Sequence, residues 1–253
     1  MILLIFVYGI IIGSFLNVCI YRIPRREGIV YPPSHCPVCN YKLKWYDNIP
    51  LLSYRILRGR CRSCDAPISI QYPLVELLNG IIYIILYYHF NFTIDFVFFA
   101  LISSVLIVIT FIDLMNMLIP DVLIIILVML EILHKLSLYF LKGITVNLWD
   151  SFLGLFVSGF LFLLIVIVSR GGMGDGDITL IASIGFILGL KSILLTILLS
   201  FIIGAIISLF LLLTRIKTKK DPIAFGPFIV LSFFIVLLYG PSIINWYFSL
   251  IYR

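Results

Sequence analysis

Residues 92–139 read FTIDFVFFALISSVLIVITFIDLMNMLIPDVLIIILVMLEILHKLSLY. Two apolar runs, Phe92–Ile112 and Leu118–Tyr139, flank a short polar hinge that begins at Asp113. Neither run alternates at the two-residue period of a half-buried strand. Each is long enough to cross the ~30 Å hydrocarbon core of a bilayer as a helix. The same pattern recurs outward in both directions, at Met1–Tyr21, Leu74–Phe90, Leu148–Val168, Ile178–Leu190, Ser192–Leu213 and from Ile223 to about Ile251. The sixth run in chain order, Ile178–Leu190, is short, and the last contains Gly240-Pro241, which allows a span followed by a re-entrant or interfacial piece.

Composition agrees with this pattern. The 253 residues are 62% hydrophobic and 12% charged, with a mean hydropathy of +1.20. A soluble domain averages about 45–50% apolar and about 25% charged residues. The chain is therefore too apolar for a water-soluble globule and too apolar for a disordered polymer. Continuous runs also exclude a transmembrane barrel. The expected fold is an all-α polytopic membrane protein with about eight transmembrane helices, because only helices satisfy their own backbone in lipid.

The charges orient it. Fourteen of the eighteen Lys and Arg fall in the stretch from Arg22 to Tyr72, at Arg170, or from Arg215 to Lys220. With the N-terminus outside, all of these face the cytoplasm, as basic loops do. Lys135, Lys142, Lys191 and Arg253 are then placed on the other side. The first run is followed, not preceded, by Arg22, Arg25 and Arg26, and reads as a retained span, not a cleaved leader. The net charge of +6 needs no nucleic acid, since a basic face beside anionic lipid accounts for it. The bilayer is thus the first partner.

The one extramembrane stretch long enough to fold, about 22–73, is too small to bury a core unaided. It carries Cys36-x-x-Cys39 and Cys61-x-x-Cys64, 21 residues apart. That is the spacing of a four-thiolate zinc site, in which each turn offers two sulfurs to one tetrahedral metal. A reducing cytoplasm argues against two disulfides, and a redox pair would need only one such turn. The expectation is a small zinc-stapled loop domain, with His35 and Cys19 outside the ligand set.

Acids at membrane depth are costly and mark candidate sites. Glu131 has His134 as a nearby partner, and Glu76 stands near a helix start. Asp113 closes one run, Asp121 opens the next, and Asp175 and Asp177 lie in Gly171-Gly172-Met173-Gly174-Asp175-Gly176-Asp177, read here as a glycine-rich loop. Asp113 and Asp177 come from different runs at one membrane face. Two such carboxyls a few ångströms apart share a proton, so one takes a proton from water while the other polarises a scissile carbonyl. Helix capping and cation binding are the competing readings of the same acids.

Several strings now stand together: GSFLNVCIYRIP (Gly13–Pro24), DNIPLLSY (Asp47–Tyr54), LRGRCRSC (Leu57–Cys64), ISIQYPLVELLNG (Ile68–Gly80), GMGDGD ending at Asp177, and IAFGPF (Ile223–Phe228). In this order, across nearly the whole chain, they resemble the type IV prepilin peptidases, or prepilin leader peptidase/N-methyltransferases, which are GxGD aspartyl proteases. The resemblance implies that Asp113 and Asp177 are the catalytic pair, with Gly174, Asp175 and Gly176 as the active-site loop. It implies cleavage of the leader of prepilins and pseudopilins at the cytoplasmic face of the inner membrane, followed by N-methylation from S-adenosylmethionine. Peptidase activity without methylation, or a transporter using intramembrane acids, are the alternatives. The implied organisation is a first helix 1–21, a zinc-binding methyltransferase-associated loop 22–73 and a peptidase domain 74–253. Asn17, Arg22 and Glu76, polar groups flanking the loop, are the candidates for methyl transfer. One departure stands out: the family commonly has lysine two residues after the GxGD aspartate, where this chain has Thr179.

Overall fold

The computed structural model describes residues 1–31, 33–145, 147–169, 174–218 and 221–251. Among them, regular structure is helical, with two isolated bridge pairs, His35–Lys42 and Arg60–Pro67. The helices are α1 (Ile2–Arg22), α2 (Leu52–Ile56), α3 (Gln71–Phe90), α4 (Ile94–Asn116), α5 (Asp121–Lys142), α6 (Leu148–Val168), α7 (Asp175–Leu188), α8 (Leu190–Leu213) and α9 (Gly226–Ile251). A single 3-10 turn covers Trp45–Asn48.

Among the described residues, seven helices, all but α2 and α7, are long and apolar enough to cross a bilayer. The chain is a multi-pass membrane protein. The sixth expected run folds as α7, whose 14 residues rise only about 21 Å and fall short of the hydrocarbon thickness. α9 is continuous through Pro241, so the expected alternative of a separate re-entrant piece gives way to one long helix. Proline withholds only its own N–H, and a helix of 26 residues absorbs one lost bond. Leu3, Phe156, Ile206 and Phe210 are all 60% exposed or more, as side chains facing lipid are.

The chain forms two compact units, 1–108 and 109–253. In the first, α1 and α3 pack backbone to backbone. A Cβ on Gly13 would stand 2.7 Å from the Glu76 Cα, so only glycine fits there. Asn79 Nδ2 donates to the Gly9 carbonyl at 2.7 Å, and Ser104 Oγ donates to Asn79 Oδ1 at 3.1 Å, so the buried Asn79 amide is partnered at both ends. In the second unit, α7 is surrounded by α5, α6, α8 and α9, and Leu180, Ile181 and Ile184 are fully buried. α7 is thus the central rod of that unit, and its first turn carries Asp177.

Candidate active site and metal centre

In the second unit, the last turn of α4 delivers Asp113 and the first turn of α7 delivers Asp177, and both are buried. Asp113 Oδ2 accepts the Gly226 backbone N–H at 2.9 Å. That amide opens α9 and is one of the donors a helix leaves unused at its start. The turn linking α4 to α5 supplies Ile119, which is buried against both neighbouring helix starts. A Cβ on Gly176 would lie 2.8 Å from the Ile119 Cβ, and one on Gly226 would lie 3.5 Å from the Ile119 Cδ1. The glycines therefore serve close approach: they let the first turns of α7 and α9 close on Ile119 and on the Asp113 carboxyl.

The expected glycine-rich loop is shorter than its sequence suggested. Arg170 and Gly171, Gly172 and Met173 lie outside the described residues, as do Lys219, Lys220 and Arg253. Gly174 is the extended residue before α7, while Asp175 and Gly176 are already helical. Asp175 is exposed and Asp177 faces inward, as residues two apart on a helix do. Thr179 is exposed and turns its hydroxyl onto the Gly176 carbonyl at 3.0 Å, so this position brings no charge. Asp121 is the first helical residue of α5 and makes no side-chain cap.

In the first unit the four cysteines converge. Their sulfurs all lie within 4.8 Å of one another, with Cys36 to Cys64 and Cys39 to Cys61 both 3.9 Å. A tetrahedral zinc with bonds of about 2.3 Å requires sulfurs about 3.8 Å apart, so the set fits such a metal. The two turns are built alike. The Cys36 amide donates to Tyr41 and the Cys61 amide to Ala66, while Asn40 (φ 57°) and Asp65 (φ 55°) occupy the left-handed region that Asn and Asp tolerate. Backbone N–H groups of Cys39 and Val38 outweigh burial and draw the Cys36 thiol down to about 6. At Cys64 the Ala66 backbone pulls down, but Cys39, burial, Cys61 and Cys36 together push the thiol up to about 12. His35 points its Nδ1 at the Pro33 carbonyl, away from the set.

Asn17, Arg22 and Glu76 each bond a different stretch of backbone. Arg22 reaches out to the Gly28 and Ile29 carbonyls at 2.9 and 3.1 Å and closes the chain after α1. Asn17 Nδ2 donates to the Gly13 and Tyr72 carbonyls, which fixes the amide's orientation and leaves its buried Oδ1 without a donor among the described residues. Glu76 Oε2 accepts the Leu51 N–H at 2.8 Å. Leu51 sits at φ 61°, ψ −45°, and the Leu52 N–H closes onto the Pro50 carbonyl at 2.6 Å. This is the rare γ-turn of positive φ, a strained geometry that the carboxylate holds in place.

One sequence assignment needs correcting. Lys135 is not an exposed charge on the outer side: it is buried within α5, 2.9 Å from Glu131 Oε1. Asp150 also has a partner that the sequence does not show, since its Oδ1 accepts the Leu190 N–H at 3.3 Å. Both pairings join residues distant in sequence or one helical turn apart, and the linear charge pattern conceals them. Gly226 and Ile119 were likewise missed as site residues, although IAFGPF was a visible signal for the former.

Residues 7–90 match the family described as the Bacterial Peptidase A24 N-terminal domain, and residues 99–209 match the Type IV leader peptidase family. A prepilin leader peptidase/N-methyltransferase of Aeromonas hydrophila is 37% identical over an alignment covering 96% of this chain and 92% of that protein. One of Legionella pneumophila is 36% identical, covering 98% and 94%, and one of Bacillus subtilis is 34% identical, covering 98% of each. No solved structure matches the chain.

Proposed function

Because this chain belongs to the Type IV leader peptidase family, we propose that it is a membrane-embedded aspartyl endopeptidase that cleaves prepilin leaders and methylates the new N-terminus. The observation that carries this reading is that Asp113 and Asp177, from separate helices, are both buried where Ile119 packs on Gly176 and Gly226, with the Gly226 amide fixing one carboxyl. One carboxylate accepts a proton from a water molecule, which attacks the scissile carbonyl. The other, protonated, hydrogen-bonds the carbonyl oxygen as it gains negative charge, and then passes its proton to the leaving amine. Burial of both acids strengthens these contacts by excluding competing water.

The substrate is a prepilin or pseudopilin, whose apolar helix shares the bilayer and presents its leader at the depth of the pair. The enzyme resides in the inner membrane with its N-terminus outside and its cysteine loop and catalytic pair on the cytoplasmic side, as the distribution of basic residues supports. Cys36, Cys39, Cys61 and Cys64 hold a structural zinc, whose chemistry is to fold a loop too small for a core of its own. S-Adenosylmethionine is the methyl donor. Asn17, Arg22 and Glu76 are the candidates for supporting that step. The orphaned Asn17 Oδ1 favours Asn17 as a group awaiting a donor, whereas the bonds of Arg22 favour a structural part.

Co-expression with a prepilin tests the reading. Wild type should yield shortened pilin carrying one added methyl by mass spectrometry. Asp113→Asn and Asp177→Asn should leave the leader attached. Normal processing by both variants would defeat the aspartyl assignment, and a cleaved but unmethylated product would reduce the protein to a peptidase.

A further inference from the structure

The chemistry above leaves the buried Glu131 and Lys135 of α5 unused. Their neighbourhood is the break between α7 and α8. Gly189 separates the two helices at φ 76°, a conformation that suits only glycine, and a Cβ there would also overlap the Asp150 carboxylate. Had the helix continued, the Leu190 N–H would bond the Phe186 carbonyl. Instead the Leu190 N–H turns to Asp150 Oδ1 at 3.3 Å, and the Phe186 carbonyl accepts from Lys135 Nζ at 2.8 Å. The break thus orphans one amide and one carbonyl, and each is met by a side chain of matching charge from a neighbouring helix. The signs also fit the helix dipoles: a cation at the C-terminal end of α7, an anion at the N-terminal start of α8. Lys135 lies 4.2 Å from the centre of the Phe186 ring, and Glu131 neutralises it at 2.9 Å while its other oxygen is 3.4 Å from His134 Nδ1.

The far end of this same helix carries Asp177. Asp177 and Phe186 are nine helical steps apart, about 14 Å of rise, and a helix transmits displacement along its axis. Resting on the aspartyl-peptidase reading, we propose that Lys135, held by Glu131, is a positioning residue for cleavage: it clamps the C-terminal end of α7 and so sets the depth at which Asp177 meets Asp113. Without it, the buried Phe186 carbonyl loses its donor, and α7 shifts or unwinds there.

The test compares wild type, Asp177→Asn, Lys135→Met, Lys135→Arg and the double variant Glu131→Gln/Lys135→Met in purified, reconstituted full-length protein. Cleavage of a prepilin and methylation of an already shortened pilin are followed side by side. Lys135→Met should lower kcat for cleavage about tenfold or more with KM within twofold of wild type, as displacement of a catalytic group does. Methylation should be unchanged, and Lys135→Arg should restore most of kcat. The double variant, which leaves no stranded carboxylate, should recover thermal stability but keep the kcat loss. Wild-type kcat for Lys135→Met beside an inert Asp177→Asn overturns this proposal alone. So does an equal loss of both activities that arginine does not relieve. A wild type that cleaves nothing overturns the peptidase reading and this proposal with it.

Discussion

Gly226→Ala is the perturbation that separates the geometry of the acid pair from its chemistry, because both aspartates remain. The new Cβ would lie 2.6 Å from Asp113 Oδ2, whereas ordinary contact begins at 3.4 Å, so the carboxyl must retreat by about 0.8 Å. The atom that gives way is the free end of a side chain, so the fold survives. The retreat, however, breaks the 2.9 Å bond from the Gly226 amide and swings the carboxyl away from the position it holds relative to Asp177. A misplacement near 1 Å costs on the order of 100-fold in rate, which is about 2.7 kcal/mol of transition-state stabilisation. The assay is initial-rate leader cleavage by purified enzyme, with methylation of a shortened pilin and metal content as controls. We expect kcat to fall about 100-fold and both controls to hold. An alanine variant that cleaves at the wild-type rate would show that the Gly226–Asp113 contact has no part in catalysis.

Replacing Cys36 or Cys61 by serine should abolish stoichiometric zinc in elemental analysis and make the 22–73 loop protease-sensitive. In the metal-free loop Cys64 is pushed up to about 12 and keeps its proton at neutral pH, while Cys36, at about 6, has lost most of its own. Zinc must therefore expel at least the Cys64 proton, and its affinity should rise at least tenfold per unit between pH 6.5 and 8.5, as competition with a chelator would show; a flat profile would contradict the four-thiolate assignment. Gly189→Ala forces a Cβ into a left-handed backbone and onto the Asp150 carboxylate, and should lower stability by about 1–3 kcal/mol, read as a fall in Tm. Asp175→Asn alters an exposed side chain at the outer edge of α7 and should leave kcat within about twofold and the pH profile of cleavage unchanged; a displaced profile would place Asp175 in the electrostatics of the pair.

Periodicity and length made the long spans legible, because an apolar run of twenty residues has few alternatives in lipid. The cysteine set was legible for a similar reason: metal ligands come in fixed spacings, and the sulfurs do meet. Asp113 and Asp177 could be read as a candidate pair only because each stood out as an acid in apolar text, and the structure buries both. Three features escaped. The local sequence of GMGDGD reads as a loop, yet Asp175 and Gly176 are helical because the surroundings of α7 decide the matter, not the glycine propensity. The partners of Lys135 and Asp150 are backbone groups at a helix break, which composition does not mark. Ile119 reads as one more apolar residue, and its importance comes from two glycines distant in sequence that close upon it.

The Leu51–Glu76 bond has a consequence for what metal loss would do. The cysteine loop is fastened twice and by unlike means: sulfur closes it upon itself, and a carboxylate in α3 ties its midpoint to a membrane helix. The second fastening contains no cysteine and needs no ion. Stripping the metal should therefore loosen the two hairpins at their tips while the Pro50–Leu52 corner stays moored, so the loop would return to the same berth when zinc is restored.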